Sequence, residues 1–302
     1  MPGGSSSRRR LDLHLVAAGL FEHREQARAA IEAGWVKLDG EVELRPGASV
    51  RLGAGVLVTG GPRFVSRGGD KLDGALSEFA LDVTGLVALD AGASTGGFVD
   101  CLLQRGAAHV IAVDVGYGQL AWKLRQDVRV TVIERQNIRY LTREMLGPKL
   151  PPGVGWPALV TLDLSFIGLE KVFPAVRSLI EPGGMVLALV KPQFQVGRGL
   201  VGKGGVVRRP ELHRQAILSA GEAALLLGFG VLGATYSKLK GPRGNVEYFL
   251  LLRAGGAGLA GDSSEKTQLE KTGAARSNAQ DLHKLAQAAV DAAGAALGVR
   301  EP

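Results

Sequence analysis

The chain has 302 residues, of which 46% are hydrophobic, and a formal net charge of +7. This length predicts about two packed domains, and the basic excess favours a polyanionic partner. The single cysteine, Cys101, excludes an intramolecular disulfide, and no stretch of about 18 uninterrupted apolar residues indicates a membrane span. The Ser- and Arg-rich start lacks the apolar segment of a signal peptide, so the sequence predicts a cytoplasmic protein without membrane contact.

Residues 8–58 form the first predicted domain, a small α+β unit. An apolar pattern with helical spacing begins at Leu11 and closes near Gly19, and a second amphipathic helix is predicted over residues 24–33. Two short strands follow, and the Asp39-Gly40 dipeptide between them indicates a β-hairpin.

The arginines, glycines and apolar residues of this domain form a pattern that resembles the S-four RNA-binding module, a two-helix fold with a short sheet that cups structured RNA. The resemblance is carried by Arg10-Leu11-Asp12, Gly19-Leu20, Gly34, Gly40 and Pro46-Gly47. Arginines on a helix face can neutralise RNA phosphates, although an ordinary solvated helix face is the alternative for any single arginine. The predicted RNA-binding residues are Arg8, Arg9, Arg10, Arg24, Arg28 and Lys37 in this domain, and Arg198, Lys203 and Arg208 in a later loop.

The second predicted domain covers residues 70–253. It follows a glycine-rich linker at 59–69 and precedes a polar, Ala- and Gly-rich tail at 254–302 that we expect to be disordered. Strand and helix signals alternate through the domain, which predicts an α/β fold with a mainly parallel, Rossmann-like sheet between two layers of helices. The last two strands have no helix between them, so we expect an antiparallel hairpin at one edge.

The segment Leu89–Phe98 is typical of the end of a buried strand, a glycine-rich turn and the start of a helix. Such turns bind nucleotide-like cofactors in many α/β proteins, although a strand–helix turn that needs small residues is the alternative. A fixed carboxylate at Asp90 would repel the pyrophosphate of a dinucleotide. It would suit a cationic cofactor with an amine and a sulfonium, which is S-adenosylmethionine.

Acidic and amide residues after the next two strands extend this prediction. Asp114 is placed to bind ribose hydroxyls, and Glu134 and Asn137 lie where an adenine is expected. The predicted cofactor-binding residues are Asp90, Gly92, Ala93, Ser94, Thr95, Gly96, Gly97, Phe98, Asp114, Glu134 and Asn137.

Two polar residues end later strands of the predicted sheet, Asp163 after the fourth and Lys191 after the fifth. Both follow apolar runs, so we expect both to be partly desolvated at the ligand-binding edge of the sheet. A single strand-end acid is more often a cap or an ion-pair partner, whereas several polar strand ends in succession favour a site. Lys71 and Glu247 are candidate partners of this pair.

Residues 66–253 resemble an FtsJ-type ribose 2′-O-methyltransferase, a family whose catalytic set is Lys-Asp-Lys-Glu in chain order. The matching residues are Lys71, Asp163, Lys191 and Glu247. The glycine turn resembles the Asp-x-Gly-Ala-x-x-Gly-Gly element of that family, with a threonine where proline is common. The fusion to an S-four module resembles the TlyA family of rRNA methyltransferases, sometimes labelled haemolysins.

This resemblance implies methyl transfer from S-adenosylmethionine to a ribose 2′-hydroxyl of ribosomal RNA. It implies cytidine as the target, ribosomal RNA or ribosomal subunits as partners, and no metal. Lys191 would activate the hydroxyl, Asp163 would hold Lys191, and Lys71 and Glu247 would position the ribose and the lysine pair.

A basic, glycine-rich stretch follows Lys191. Residues 191–214 contain six basic residues against Glu211 alone, a local charge of +5 that would hold phosphates. Phe194, in the same stretch, is a candidate for stacking on a base, with a core or lid role as the alternative.

Three other functions are weighed against this prediction. A non-catalytic RNA-binding or ribosome-assembly factor would show a broken catalytic set, and none of the four residues is missing. A pore-forming haemolysin needs a membrane-inserting segment, but the nearest candidate, at 210–227, is interrupted by charged residues. A nicotinamide oxidoreductase is disfavoured by Asp90.

Overall fold

The computed structural model divides the chain into two compact units, one ending at Arg63 and the other beginning at Phe64. Among the residues that it describes, no helix combines the length and the apolar character needed to cross a membrane. The described residues are 9–21, 23–32, 34–51, 53–61, 63–202, 204–255 and 274–298.

The first unit packs two short helices against short antiparallel strands. Leu11, Leu15 and Ile31 are fully buried in its small core, as the apolar pattern predicts. Asp39 and Gly40 have φ angles of 53° and 92°, which suit a tight hairpin turn, and the predicted hairpin is confirmed. The elements are β1 (Arg9–Arg10), α1 (Leu11–Ala17), α2 (Arg24–Glu32), β2 (Val36–Leu38), β3 (Glu41–Val42), β4 (Ser49–Val50) and β5 (Val56–Val58).

The second unit is a seven-stranded sheet with a hydrophobic core on each face. Successive side chains of a strand point to opposite faces, so Leu89 lies in one core and Ala88 in the other. The strands are β6 (Val87–Ala91), β7 (His109–Val113), β8 (Val130–Ile133), β9 (Leu159–Leu162), β10 (Met185–Val190), β11 (Phe229–Tyr236) and β12 (Tyr248–Ala254). The helices are α3 (Arg67–Glu78), α4 (Gly97–Gln104), α5 (Trp122–Arg125), α6 (Arg143–Leu146), α7 (Phe173–Leu179), α8 (Pro192–Gln195), α9 (Pro210–Leu226) and α10 (Ala274–Leu297).

The strand order places a ligand crevice at the middle of the sheet. The order is β11-β12-β10-β9-β6-β7-β8, with β10, β9, β6, β7 and β8 parallel. The next two strands along the chain, β7 and β8, lie on one side of β6, and β9 lies on the other side. Ligands bind in α/β sheets at such a reversal, beyond the carboxyl ends of the strands. The predicted antiparallel edge hairpin is confirmed by the pairing of β11 with β12.

The predicted linker at 59–69 is wrong in its second half. Phe64 is buried in the core beside α3, and that helix begins at Arg67, three residues before its predicted start. A Cβ atom on Gly69 would collide with the Phe64 ring, so this glycine allows a close aromatic contact.

The expectation of a disordered tail is also wrong for residues 274–298. Helix α10 buries Leu282, Ala286 and Val290 in the same core as α9. A Cβ atom on Gly221 of α9 would lie 2.6 Å from the Leu282 side chain, so the two helices approach closely at this glycine. The remaining tail residues, 256–273 and 299–302, lie outside the described residues.

Candidate active site

The glycine turn after β6 depends on backbone conformations that favour glycine. Gly92 and Gly96 have φ angles of 87° and 97°, in the left-handed region. A Cβ atom on Gly92 would collide with the backbone carbonyl of Asp163, so the turn packs directly against the end of β9. A Cβ atom on Gly96 would collide with Leu124 instead. The two glycines therefore allow close packing on two sides of the turn.

A cavity of about 310 Å³ lies between this turn and the start of α3. Small-molecule sites have volumes of about 300–1,000 Å³, so the cavity is large enough for a compact ligand. Most of the predicted turn residues and all four predicted catalytic residues line it. They are Gly92, Ala93, Ser94, Thr95, Gly97 and Phe98, and Lys71, Asp163, Lys191 and Glu247.

Asp90 lies beneath this cavity and does not line it. Its side chain is fully buried, and Oδ1 accepts a hydrogen bond of 2.7 Å from the hydroxyl of Thr161, its neighbour on β9. Oδ2 has no hydrogen-bond partner. Burial raises the pKa of Asp90 to about 8, with Asp163 and Asp114 adding to the shift. The fixed negative charge assumed from the sequence is therefore wrong for this state, because the carboxyl is mostly protonated at neutral pH.

The other predicted cofactor residues have structural partners. Asp114 accepts from the backbone N–H of Ser94 at 2.7 Å and thereby holds the glycine turn. Glu134 pairs with Arg125, and the side chain of Asn137 caps a short 3₁₀ helix. None of Asp114, Glu134 and Asn137 lines the cavity, so their contact with a cofactor stays a prediction.

The four predicted catalytic residues form two ion pairs. Lys71 Nζ lies 2.6 Å from Glu247 Oε2, and the two side chains are 10% and 1% exposed. Lys191 Nζ forms an ion pair with Asp163 Oδ1 at 2.5 Å, and it donates a hydrogen bond to Ser165 Oγ at 3.3 Å. Each lysine therefore pairs with one acid, and the four side chains are mostly shielded from water.

Gly241 shows how the chain makes room for one of these pairs. A Cβ atom at this position would collide with Oε1 of Glu247. The segment from Gly241 to Asn245 turns back immediately before β12, with a backbone hydrogen bond of 2.8 Å between its ends. The glycine thus lets the buried glutamate reach Lys71.

A second cavity, of about 500 Å³, adjoins the first. Ser165, Lys191, Pro242 and Glu247 line both cavities, so the ion pairs stand where the two meet. The second cavity is walled by residues of the basic, glycine-rich stretch and by two phenylalanines. These further lining residues include Phe166, Phe194, Gly197, Val201, Gly205 and Arg243.

Phe166 is a feature that the sequence analysis missed. Its ring is 87% exposed, its φ angle is 65°, and its centroid lies 5.0 Å from that of Phe194. A large aromatic side chain three residues after Asp163 was the available signal. The exposed ring of Phe166 and the half-buried ring of Phe194 form an aromatic pair at the second cavity, where the sequence predicts a stacking role for Phe194 alone.

The predicted RNA-binding arginines of the first unit are partly engaged with acids. The buried carboxylate of Asp12 pairs with both Arg10 and Arg24, at 3.0 and 2.9 Å. The hydrogen bond from Arg10 lowers the pKa of Asp12 to about 2, and that from Arg24 acts in the same direction. Both arginines stay about half exposed. The pair is thus held in place with N–H groups left for a further partner.

The remaining predicted RNA-binding residues are less constrained. Arg9 and Arg208 are exposed, Lys37 is half-buried on β2, and Arg28 lies 3.8 Å from Glu32. The described residues exclude Arg8 and Lys203 and the side chain of Arg198.

The arrangement suits a reaction between two bound molecules. A glycine-walled cavity offers backbone groups to one ligand, and a larger cavity with aromatic and basic walls offers room for the other. Holding two reactants at a common junction removes much of the entropic cost of their meeting. The side chains at that junction are two lysines with their acids.

Comparisons with known proteins agree with the two-unit structure. Residues 64–254 match the family described as FtsJ-like methyltransferase, and residues 9–56 match the S4 domain.

Several known proteins match most of this chain. The chain is 50% identical over 248 residues to the 16S/23S rRNA (cytidine-2′-O)-methyltransferase TlyA of Mycobacterium tuberculosis, covering 82% of this chain and 90% of that protein. It is 36% identical to Hemolysin A of Brachyspira hyodysenteriae, covering 79% and 97%. The solved structure of a Streptococcus thermophilus protein named as a hemolysin has a TM-score of 0.63 at 37% identity, covering 93% of this chain and 97% of that one.

Proposed function

The chain belongs to the FtsJ-like methyltransferase family, and we propose that it methylates ribose 2′-hydroxyls of ribosomal RNA, at cytidine, with S-adenosylmethionine as the methyl donor. The observation that carries this proposal is the junction of two cavities at Lys71–Glu247 and Lys191–Asp163. The S4 domain and the printed name of the Mycobacterium tuberculosis relative support ribosomal RNA as the substrate.

The smaller cavity fits S-adenosylmethionine. A Cβ atom on Gly97 would collide with Ser66 Oγ, so this glycine lets the turn pack closely against the residue before α3, beside the cavity. Gly92, Ser94 and Gly97 would hold the cofactor along the turn, and Asp114 would keep Ser94 in place. When bound, S-adenosylmethionine supplies a methyl group activated by its sulfonium.

Lys191 is the residue proposed to act on the ribose hydroxyl. An ammonium has three donors, and Asp163 and Ser165 occupy two directions around Nζ. The ribose 2′-oxygen would take the third. There Nζ would orient the hydroxyl and take up its proton during methyl transfer.

The other residues of the junction position the RNA. Lys71 and Glu247 form a rigid, nearly buried pair against which the ribose rests. Phe166 and Phe194 offer stacking surfaces for an unstacked base, which is how proteins commonly bind single-stranded RNA. Arg208 adds positive charge for the phosphates.

The test is transfer of labelled methyl from S-adenosylmethionine to ribosomal RNA or ribosomal subunits. We expect Lys191→Ala to abolish transfer while it still binds the cofactor, because Lys191 acts on the hydroxyl. Lys123→Ala is the matched control, since Lys123 also pairs with an acid, Asp100, but lines neither cavity. Unchanged methylation by Lys191→Ala would refute the role of Lys191, whereas no methylation by the wild-type protein would favour a non-catalytic RNA-binding factor.

A further inference from the structure

A buried asparagine fastens one segment of the larger cavity wall, the glycine-rich loop of residues 196–207. The Oδ1 atom of Asn245 accepts the backbone N–H of Val207 at 2.9 Å, and its Nδ2 donates to the carbonyl of Gly205 at 2.8 Å. Asn245 is only 1% exposed. Both ends of one amide are therefore used to hold two neighbouring peptide groups of the loop.

A buried histidine fastens the same point from the other side. His213, on α9, has Nε2 3.0 Å from the carbonyl of Val207 and Nδ1 3.0 Å from the hydroxyl of Tyr248. A carbonyl can only accept, so Nε2 carries the hydrogen and Nδ1 accepts from the tyrosine. Burial lowers the pKa of His213, which keeps this neutral form.

The loop needs such fastening because its own backbone is permissive. Gly204 and Gly205 have φ angles of 82° and 79°, both in the left-handed region that favours glycine. Glycine loses more conformational freedom on ordering than other residues do, so a glycine-rich wall opens easily unless side chains hold it. The loop lines the cavity with Gly197, Val201 and Gly205.

We propose that Asn245 and His213 are positioning residues that hold the glycine-rich loop as a preformed wall of the RNA cavity. The inference rests on the proposed function. Tyr248 directly follows Glu247, so the same network ties the wall to the segment that carries the buried glutamate. A preformed wall lowers the ordering cost of binding RNA and leaves cofactor binding unaffected.

Limited trypsin digestion measures how well the loop is ordered, and this readout does not depend on methyltransferase activity. The loop and its end contain Arg198, Lys203, Arg208 and Arg209 as cleavage positions. Asn245→Asp keeps the shape but sets an oxygen against the Gly205 carbonyl. We expect cleavage in this segment to be about tenfold faster, since one lost buried hydrogen bond changes an open population by about that factor.

The His213 variants provide a second arm, which carries the test alone if Asn245→Asp does not fold. His213→Leu removes the donor to Val207 and should open the loop, whereas His213→Gln supplies an amide N–H in its place and should restore protection. Thr131→Val is the matched control, because it removes a buried side-chain hydrogen bond of 2.8 Å to His109 at the far edge of the sheet.

Kinetics separate positioning from general stability. For Asn245→Asp we expect KM for RNA to rise about tenfold, with kcat changed less than about threefold and the Kd of S-adenosylmethionine unchanged. Wild-type cleavage in both Asn245→Asp and His213→Leu would overturn the proposal. So would acceleration equal to that of Thr131→Val, or acceleration at every site in step with a lower Tm.

The proposed function is tested by a different variant, Lys191→Ala. Lys191→Ala should keep the wild-type cleavage pattern while losing methylation. Methylation retained by Lys191→Ala contradicts the catalytic assignment, whereas a protected loop in both Asn245→Asp and His213→Leu contradicts the positioning assignment alone.

Discussion

Two fully buried aspartates, one in each unit, have opposite charge states. The pKa of Asp12 is lowered to about 2, chiefly by the hydrogen bond from Arg10. The pKa of Asp90 is raised to about 8, chiefly by burial. Asp12 faces two guanidinium groups, whereas Asp90 has one hydroxyl and two nearby acids. Burial raises the pKa of both carboxyls, and only at Asp12 do charged hydrogen-bond donors outweigh it.

Asp12 and Asp90 therefore serve different places: Asp12 lies under a candidate RNA-binding surface, and Asp90 lies under the candidate active site. Asp12 is a fixed anion that orients two half-exposed arginines, so a positive surface remains for a polyanion. Asp90 is a mostly neutral group at neutral pH under the cavity. A cation bound above it would favour its ionised form, which links the charge of the floor to its occupancy.

The largest effect is expected at Asp163, which pairs with Lys191 and also helps to raise the pKa of Asp90. Asp163→Asn removes the partner of Lys191 and one of the charges that raise the pKa of Asp90. We expect methylation to fall about a hundredfold or more, because Lys191 is no longer held. We also expect the pKa of Asp90 to fall. Steady-state methylation and carboxyl NMR check the two effects, and an unchanged rate would contradict the pairing.

The next effect is the pH dependence of stability in the catalytic unit. Asp90 has a folded pKa of about 8, above its ordinary value of 3.8, so its contribution to stability is complete below about pH 4 and is lost as pH rises towards 8. The slope is at most about 1.4 kcal/mol per pH unit. Asp90→Asn should flatten this decline in Tm measured from pH 5 to 8. An identical pH profile in the variant would show that Asp90 does not titrate in this range.

Asp12→Asn tests the opposite case. The folded pKa is depressed, so the stability from Asp12 is present above about pH 4 and is lost as pH falls towards 2. At neutral pH we expect the first unit to lose about 1–3 kcal/mol, seen by hydrogen exchange of its amides. RNA affinity should fall although the net charge rises, because Arg10 and Arg24 lose their fixed positions. Tighter RNA binding would show that charge alone matters.

The smallest effect is expected at the exposed pair of Arg28 and Glu32. Their separation of 3.8 Å and half-exposed side chains predict a stability cost of about 0.3–0.5 kcal/mol for Arg28→Ala. Arg24→Ala should cost more and should reduce the salt dependence of RNA binding by about one ion. Urea unfolding and binding across a salt series compare the two variants. Equal stability losses would contradict the distinction between Arg28, in an exposed ion pair, and Arg24, paired with the buried Asp12.

Much of the site was predictable because a parallel sheet brings strand ends together. Asp163 and Lys191 each follow an apolar run, so their shared position at one edge follows from the alternation of strands and helices. Phe166 could not be found in this way, since nothing in the sequence pattern shows its exposed, positive-φ conformation. The charge of Asp90 depends on Thr161 and Asp163, which are distant in sequence and near in space.

Sequence-based prediction of the fold was similarly limited at the two ends of the second unit. The α10 core face is mostly alanine, as at Ala286, Ala289 and Ala293, and alanine gives a weak hydrophobic signal. Its burial depends on a groove in α9 at Gly221, which only the packed structure reveals. The linker prediction is wrong at Phe64 because a single aromatic residue in a glycine-rich stretch gives no periodic apolar signal, although its side chain is buried in the core.

The most direct test of the central claim is the identity of the methylated nucleoside. Ribosomal RNA is incubated with the full chain and isotopically labelled S-adenosylmethionine, digested to nucleosides and analysed by mass spectrometry. The proposed function predicts label in 2′-O-methylcytidine with the wild-type protein and none with Lys191→Ala. Label in a base-methylated nucleoside, or no label with the wild-type protein on either ribosomal subunit, would contradict it.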